Sequence, residues 1–203
     1  MRISVSAGYW SAGPPPGAAD LFEAAERIGI DQIWTAEAYG SDAWTPLAWW
    51  GSRTERIKLG TAVSQLSARP PVTLAMTAMT MDHLTGGRVL LGIGTSNPQV
   101  VEGWYGEPYP RPLERTREYI DIVRQVIARR EPVSYDGKHY QLTDSPALPK
   151  PVQQPRPPVI VGGHGPKKTP RLAATYADEF NIAFAPLADV RAQFGVPFTE
   201  RRG

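Results

Sequence analysis

The sequence predicts an α/β fold on a parallel sheet, of the (β/α)8 TIM-barrel type but with about six strand–helix units in place of eight. Three observations predict it. Short β-rich apolar runs alternate with helical patterns, as parallel strands joined by crossover helices do. The run Arg88 to Gly94 is almost unbroken in its apolarity, which suits a strand buried on both faces. A hairpin signal and a proline-rich stretch interrupt the alternation after that strand, where barrels carry insertions over the strand ends.

Taken in order, Arg2 to Ala7 reads as the first strand. Gly17 to Ile28 reads as a helix with Leu21, Ala24, Ala25 and Ile28 on its apolar face, stopped by Gly29. Gln32 to Thr35 is the second strand, Pro46 to Ser52 a helix and Ile57 to Val63 the third strand. Pro71 to Leu84 is a helix opened by proline at a tolerated position and closed by Gly86-Gly87, leading to the fourth strand. Leu113 to Arg129 is a long amphipathic helix with Ile120, Val123 and Ile127 on its stripe. Val133 to Tyr135 and His139 to Leu142 flank Asp136-Gly137, a hairpin signal. After the prolines of 146–158 come a fifth strand (Pro158 to Val161), a helix (Lys167 to Tyr176) and a sixth strand (Glu179 to Phe184). A further helix is expected to start at Ala188. The whole, 1–203, reads as one domain, with 98–155 as an insertion or lid segment.

Bulk properties narrow the function. The net charge is +2, from 22 basic and 20 acidic residues, and no long Lys/Arg run suggests a nucleic-acid surface. No apolar run of membrane-spanning length occurs. The chain has no cysteine, which excludes disulfides, thiolate metal sites and a Cys nucleophile and fits a cytoplasmic protein. His83, His139 and His164 are scattered without metal-ligand spacing. The reading is therefore of a small-molecule protein, with no metal, nucleic acid or membrane.

Four segments could carry chemistry. Gly92-Ile93-Gly94-Thr95-Ser96-Asn97 brings a ligand close to backbone, but a dinucleotide site would need glycine where Asn97 stands; room inside a crowded barrel explains the glycines as well. Gly162-Gly163-His164-Gly165 precedes a helix, and bare N–H groups at a helix start suit a phosphate, although a plain turn reads the same way. Thr61-Ala62-Val63 puts small residues at a strand's C-terminal end, which suits a ligand floor or a tapered barrel end. Glu37, just past the second strand, is a carboxylate beside the expected cleft, an acid–base candidate or an exposed ion-pair partner. Trp34, Trp44, Trp49, Trp50 and Trp104 read as core or rim packing.

Together, Ile33 to Glu37, Arg56 to Val63, Met81 to Thr95, Val159 to Gly163 and Ala177 to Phe180 resemble the luciferase-like monooxygenase superfamily, within it the coenzyme F420-dependent oxidoreductases. The resemblance spans about residues 1 to 187 and is most specific from Asp82 to Thr95. It implies a (β/α)8 barrel holding a deazaflavin or flavin at its C-terminal face, and hydride transfer between coenzyme F420 and a small organic substrate. It implies a bulge with a cis bond at Ala62-Val63 behind the ring, cofactor contacts from Thr61, Ala62, Val63, Thr95, Ser96 and Asn97, and phosphate contacts from Gly162, Gly163, His164 and Gly165. Glu37 matches an acidic position near the ring, but Ala38 stands where several F420 relatives have histidine. A reduced-FMN monooxygenase and a non-catalytic shortened relative are the alternatives. Six strands would leave two open sheet edges, so the chain is either a truncated or frameshifted relative or is closed by a second copy in a homodimer.

Overall fold

A computed structural model describes residues 3–128, 130–145, 151–163 and 167–182. The elements in chain order are β1 (Ser4–Gly8), α1 (Ala18–Ile28), β2 (Gln32–Thr35), α2 (Trp44–Gly51), β3 (Lys58–Thr61), β4 (Ser64–Gln65), α3 (Pro71–Leu84) and β5 (Val89–Gly94). They continue with α4 (Pro98–Val101), α5 (Pro112–Ala128), β6 (Val133–Asp136), β7 (Gln141–Ser145), β8 (Val159–Gly162), α6 (Lys168–Tyr176) and β9 (Glu179–Asn181). The parallel sheet has the order β1-β2-β3-β5-β8-β9, and β4 pairs with β5 beyond the end of β3. Among the described residues β1 and β9 are its edges, so the sheet is an incomplete barrel, as expected.

Successive strand residues point to opposite faces, and the two faces are packed differently. Ile33, Leu59, Leu91, Ile93, Val159 and Val161 face outward into the main core with the helices. Trp34, Leu90 and Ile160 face inward and form a separate cluster with Ala62. The Trp34 indole covers the inner side of β3 because Gly60 leaves it room; a Cβ there would overlap the ring.

The N-terminal end of the sheet is clamped by buried polar side chains. Arg88 spans the helix-to-strand turns, donating to the carbonyls of Thr85 (2.8 Å), Ile57 (3.2 Å) and Gly51 (2.7 Å) and to Thr54 Oγ1 (3.0 Å). Asp82, fully buried, accepts from the Gln153 backbone N–H (2.9 Å) and side chain (2.7 Å). Glu26 collects the N–H groups of Glu55, Arg56 and Ile57. Half of the most specific stretch of the sequence thus builds the end of the sheet away from the expected cleft.

Four expectations are corrected. The buried face of α1 is Ala18, Phe22 and Ala25, whereas Leu21 and Ile28 are 51% and 77% exposed. The stripe is one residue out of phase because bulky Phe22 takes the core position. The third strand stops at Thr61: the Ala62–Val63 bond is cis and the chain resumes as β4. The hairpin does not turn at Asp136-Gly137. Asp136 pairs with Gln141, leaving a four-residue loop whose N–H groups at Lys138, His139 and Tyr140 are held by the buried Glu118 carboxylate. Finally, 98–155 is not one lid. Its α5 belongs to the helical layer, packed on α3 and α6 with Ile120, Ile122 and Val123 wholly buried. The hairpin loop docks on α5 through Arg115, Glu118 and Tyr119, and 151–157 crosses the opposite end of the sheet, held by Asp82. The segment 95–111 follows β5 at the strands' C-terminal ends. The expected helix at Ala188 and the end of the sixth strand at Phe184 lie outside the described residues.

Candidate functional site

Parallel strands bring their C-terminal ends, and the loops that follow, to one end of the sheet. There the inward positions change character. Trp34 is followed on the same face by Ala36, Gly60 by Ala62, Leu90 by Gly92 and Gly94, and Ile160 by Gly162. A layer of large side chains therefore supports a layer with almost none. The Val63 side chain sits in this clearing, and a Cβ on Gly94 or Gly162 would come within 2.5 Å of it. The result is a floor of small residues around the cis Ala62–Val63 bond. Ala62, Val63 and Gly162, proposed from separate stretches of sequence, meet here.

The other expected residues divide by role. Thr61, wholly buried, uses its hydroxyl to bridge β3 and β5, donating to the Gly92 carbonyl (2.8 Å) and accepting from the Gly92 N–H (2.9 Å). It holds the floor's edge where the strand ladder is interrupted. Thr95 and Ser96 start the next loop, Ser96 in the left-handed region at φ 59°. Tyr109 ties this loop down, donating to the Ser96 carbonyl (3.0 Å) from 3.2 Å of Thr95 Oγ1. Asn97 is the N-cap of α4; its Oδ1 accepts from the Val100 N–H (3.1 Å), leaving its amide group facing solvent. Gly163 donates its N–H to the Asn181 carbonyl (3.1 Å). His164 and Gly165 lie outside the described residues.

Glu37 is neither beside an open cleft nor in an exposed ion pair. It is 4% exposed, beneath the floor. Oε1 accepts from the Gln65 N–H (2.6 Å), Ser64 Oγ (3.3 Å) and Arg69 Nη1 (2.9 Å), and Oε2 from the Ala43 N–H (3.3 Å). The Gln65 side chain returns a bond to the Glu37 carbonyl. One carboxylate thus ties the loop after β2 to β4, to the start of α2 and to Arg69. Tyr119 of α5 extends the tie by donating to the Arg69 carbonyl (3.0 Å). Burial, with Tyr140 alongside, holds the Tyr119 phenol well above its ordinary value, so it stays a neutral donor.

Two residues at this end went unread in the sequence. Arg69 lies in a loop between β4 and α3, and nothing local marks it as the partner of Glu37, 32 residues away. Tyr105 follows α4; burial and the nearby Glu37 carboxylate raise its phenol pKa. Only the folded chain brings these groups together. Among the described residues no group of three His, Cys, Asp or Glu side chains is placed to hold a metal, and no helix is long and apolar enough to cross a membrane.

Comparison with known proteins shows the family and agrees with the fold. The profile of the family described as luciferase-like monooxygenase matches residues 2–195. A Mycobacterium tuberculosis protein, provisionally named a coenzyme F420-dependent oxidoreductase, is 54% identical over 188 residues, covering 88% of this chain and 54% of that protein. An F420-dependent glucose-6-phosphate dehydrogenase of Microbacterium testaceum is 30% identical over 195 residues, covering 89% of this chain and 57% of its own length. The chain spans about half the length of these relatives. An F420-dependent secondary alcohol dehydrogenase bound to an F420–acetone adduct superposes with a TM-score of 0.83 at 21% identity, covering all of this chain and 66% of that one. The FMN-bound oxygenating constituent of 3,6-diketocamphane monooxygenase from Pseudomonas putida superposes at 0.79, also at 21% identity, over 62% of its length. At these identities the two superpositions speak for the fold.

Proposed function

Since this chain belongs to the luciferase-like monooxygenase family, we propose that it supplies the cofactor-binding part of an F420-dependent oxidoreductase acting on a small organic molecule. The observation that carries this reading is the floor, where large inward side chains give way to Ala36, Ala62, Gly92, Gly94 and Gly162 around Val63. A planar tricyclic ring needs such a surface, and a Cβ at either of two of these glycines would press on Val63. When bound, the deazaflavin supplies the carbon that gives or takes a hydride.

The chain's own residues do the rest. Ala62 and Val63 back the ring. The Thr95–Asn97 loop, fixed by Tyr109 and by the cap on α4, presents polar groups to its edge. Gly162 to Gly165, just before α6, take the phosphate end, where helix N–H groups favour an anion. Glu37, expected from its sequence position as an acid or base, is assigned the task of holding β4 and Arg69 under the floor, with any proton transfer confined to its less engaged Oε2. The substrate is a small organic molecule, the location cytoplasmic, and the assembly a homodimer, which sedimentation velocity would register.

Fluorescence titration with oxidised F420 and with FMN tests the reading. Micromolar binding of F420, and weaker binding of FMN, is expected. Gly162→Ala forces Val63 to move and should weaken F420 about tenfold, the lower end of an overpacking cost. Tighter binding of FMN, with oxygen uptake when reduced FMN is supplied, would replace this reading by that of a flavin monooxygenase. Binding of neither would remove it.

A further inference from the structure

We propose that Tyr39 and Trp104 form an aromatic clamp that selects a neutral, ring-bearing substrate; this rests on the oxidoreductase reading above. The two rings meet edge to face, centroids 5.6 Å apart and planes at 70°. Each is nonetheless largely in water, Tyr39 46% and Trp104 56% exposed. An aromatic pair held together but left uncovered is a surface waiting for a third ring. It stands at the C-terminal end of the sheet. Tyr39 lies in the loop after β2 and Trp104 just beyond α4, which follows β5.

Both residues stand on anchored backbone. Tyr39 has left-handed backbone, φ 45°, uncommon for a bulky residue and maintained here by the surrounding loop. Glu37 anchors that loop two residues before, Ala38 bridges to Ser41, and Ser41 Oγ accepts from the Trp10 N–H (2.9 Å). Trp104 donates its backbone N–H to the Val100 carbonyl (3.0 Å) in a helix capped by Asn97, and so is tied to the Thr95–Asn97 loop. One half of the clamp, Trp104, therefore shares its segment with the cofactor loop, and the other half, Tyr39, stands on the loop that Glu37 anchors.

Charge decides the substrate class. Among the described residues the loops after β1, β2, β3–β4 and β5 carry two arginines, Arg69 and Arg111, and Arg115 follows in the first turn of α5; each has a partner. Arg69 pairs with Glu37, Arg111 with Glu114, and Arg115 donates to Tyr140 Oη and the Pro108 carbonyl. Glu102 and Glu107 add exposed negative charge. Among the described residues of these loops a phosphate ester or carboxylate thus meets acids and paired arginines, whereas an uncharged ring finds two aromatic faces.

Saturation-transfer NMR on the full chain with 1-phenylethanol, 2-propanol and glucose 6-phosphate tests this, alongside F420 titration of the same samples. Saturable binding of 1-phenylethanol but of neither other probe is expected. Trp104→Ala and Tyr39→Ala should each weaken it about threefold to tenfold, the worth of one aromatic contact, with F420 affinity unchanged. Absent binding of 1-phenylethanol, equal binding by both variants, or competition by glucose 6-phosphate overturns the clamp. If F420 binds and the ring probe does not, the clamp fails and the oxidoreductase reading stands. If the ring probe binds through these residues and F420 does not, the reverse holds.

Discussion

Glu37 shows what a single buried carboxylate can organise. Its four donor residues come from three places in the chain: Ala43, the Ser64–Gln65 strand and Arg69. Removing it leaves a half-buried guanidinium and two buried N–H groups without their acceptor. Glu37→Ala is expected to cost about 3 kcal/mol, the lower range for breaking a buried ion pair from one side, read as a shift in denaturant midpoint. Glu37→Gln keeps the volume and one acceptor and should cost less. In both variants F420 affinity is expected to fall with stability, since the floor moves with β4. A loss of turnover with stability and affinity intact would instead make Glu37 the proton-transfer group. The sequence places Glu37 at the right end of the right strand, but the burial that decides its role comes from α2, β4 and the loop holding Arg69, none adjacent in sequence.

At the scale of elements, the strands and most helices are legible because apolar periodicity and capping act within a few residues. Two of the corrections arise where a distant side chain sets a local outcome. Asp136-Gly137 signals a tight turn, yet Glu118 captures three N–H groups of 138–140 and widens the loop. The proline-rich 151–157 reads as part of a lid, yet Asp82 fastens it to the other end of the sheet through Gln153, whose side chain also reaches the Val89 carbonyl (2.8 Å). Asp82→Ala should free this strap. Faster hydrogen exchange at Gln153 and at the start of β8 is expected, with F420 affinity unchanged because the floor lies at the far end of the strands. A fall in F420 affinity in this variant would contradict that separation.

For the whole molecule, three partly buried carboxylates dominate the response to acid; Lys138 and Arg111 also lower the pKa of Glu114, and burial raises that of Asp121. Asp178, Glu26 and Asp42 are held below their ordinary values of 3.8, 4.5 and 3.8. Burial opposes the charge in each case and is outweighed by bonded donors: Arg156 and the Val159 N–H at Asp178, the N–H groups of 55–57 at Glu26, and Thr45 and Trp44 at Asp42. A depressed folded pKa contributes stability above the unfolded value and loses it as pH falls through the folded one. Unfolding free energy should therefore hold steady from neutral pH to about pH 5 and decline below about pH 4.5, as the unfolded chain takes up protons first. Chemical denaturation across that range checks it; a stability that rises on acidification would show that these contacts do not form. Asp178→Asn should flatten the decline.

By itself the sequence determined the α/β class and the order of the parallel strands along the chain, because each depends on patterns confined to a short stretch, and its motifs gave the resemblance that implied the family and the cis bond at Ala62-Val63. Val63, Gly94 and Gly162 were visible as separate small-residue signals. Only the tertiary structure decided that they form one floor, that Glu37 lies under it paired with Arg69, that 151–157 belongs to the opposite end, and that Tyr39 faces Trp104. Those facts depend on which strands become neighbours and on which polar groups lose water together, and a buried charge or N–H takes whatever partner the packing brings within reach.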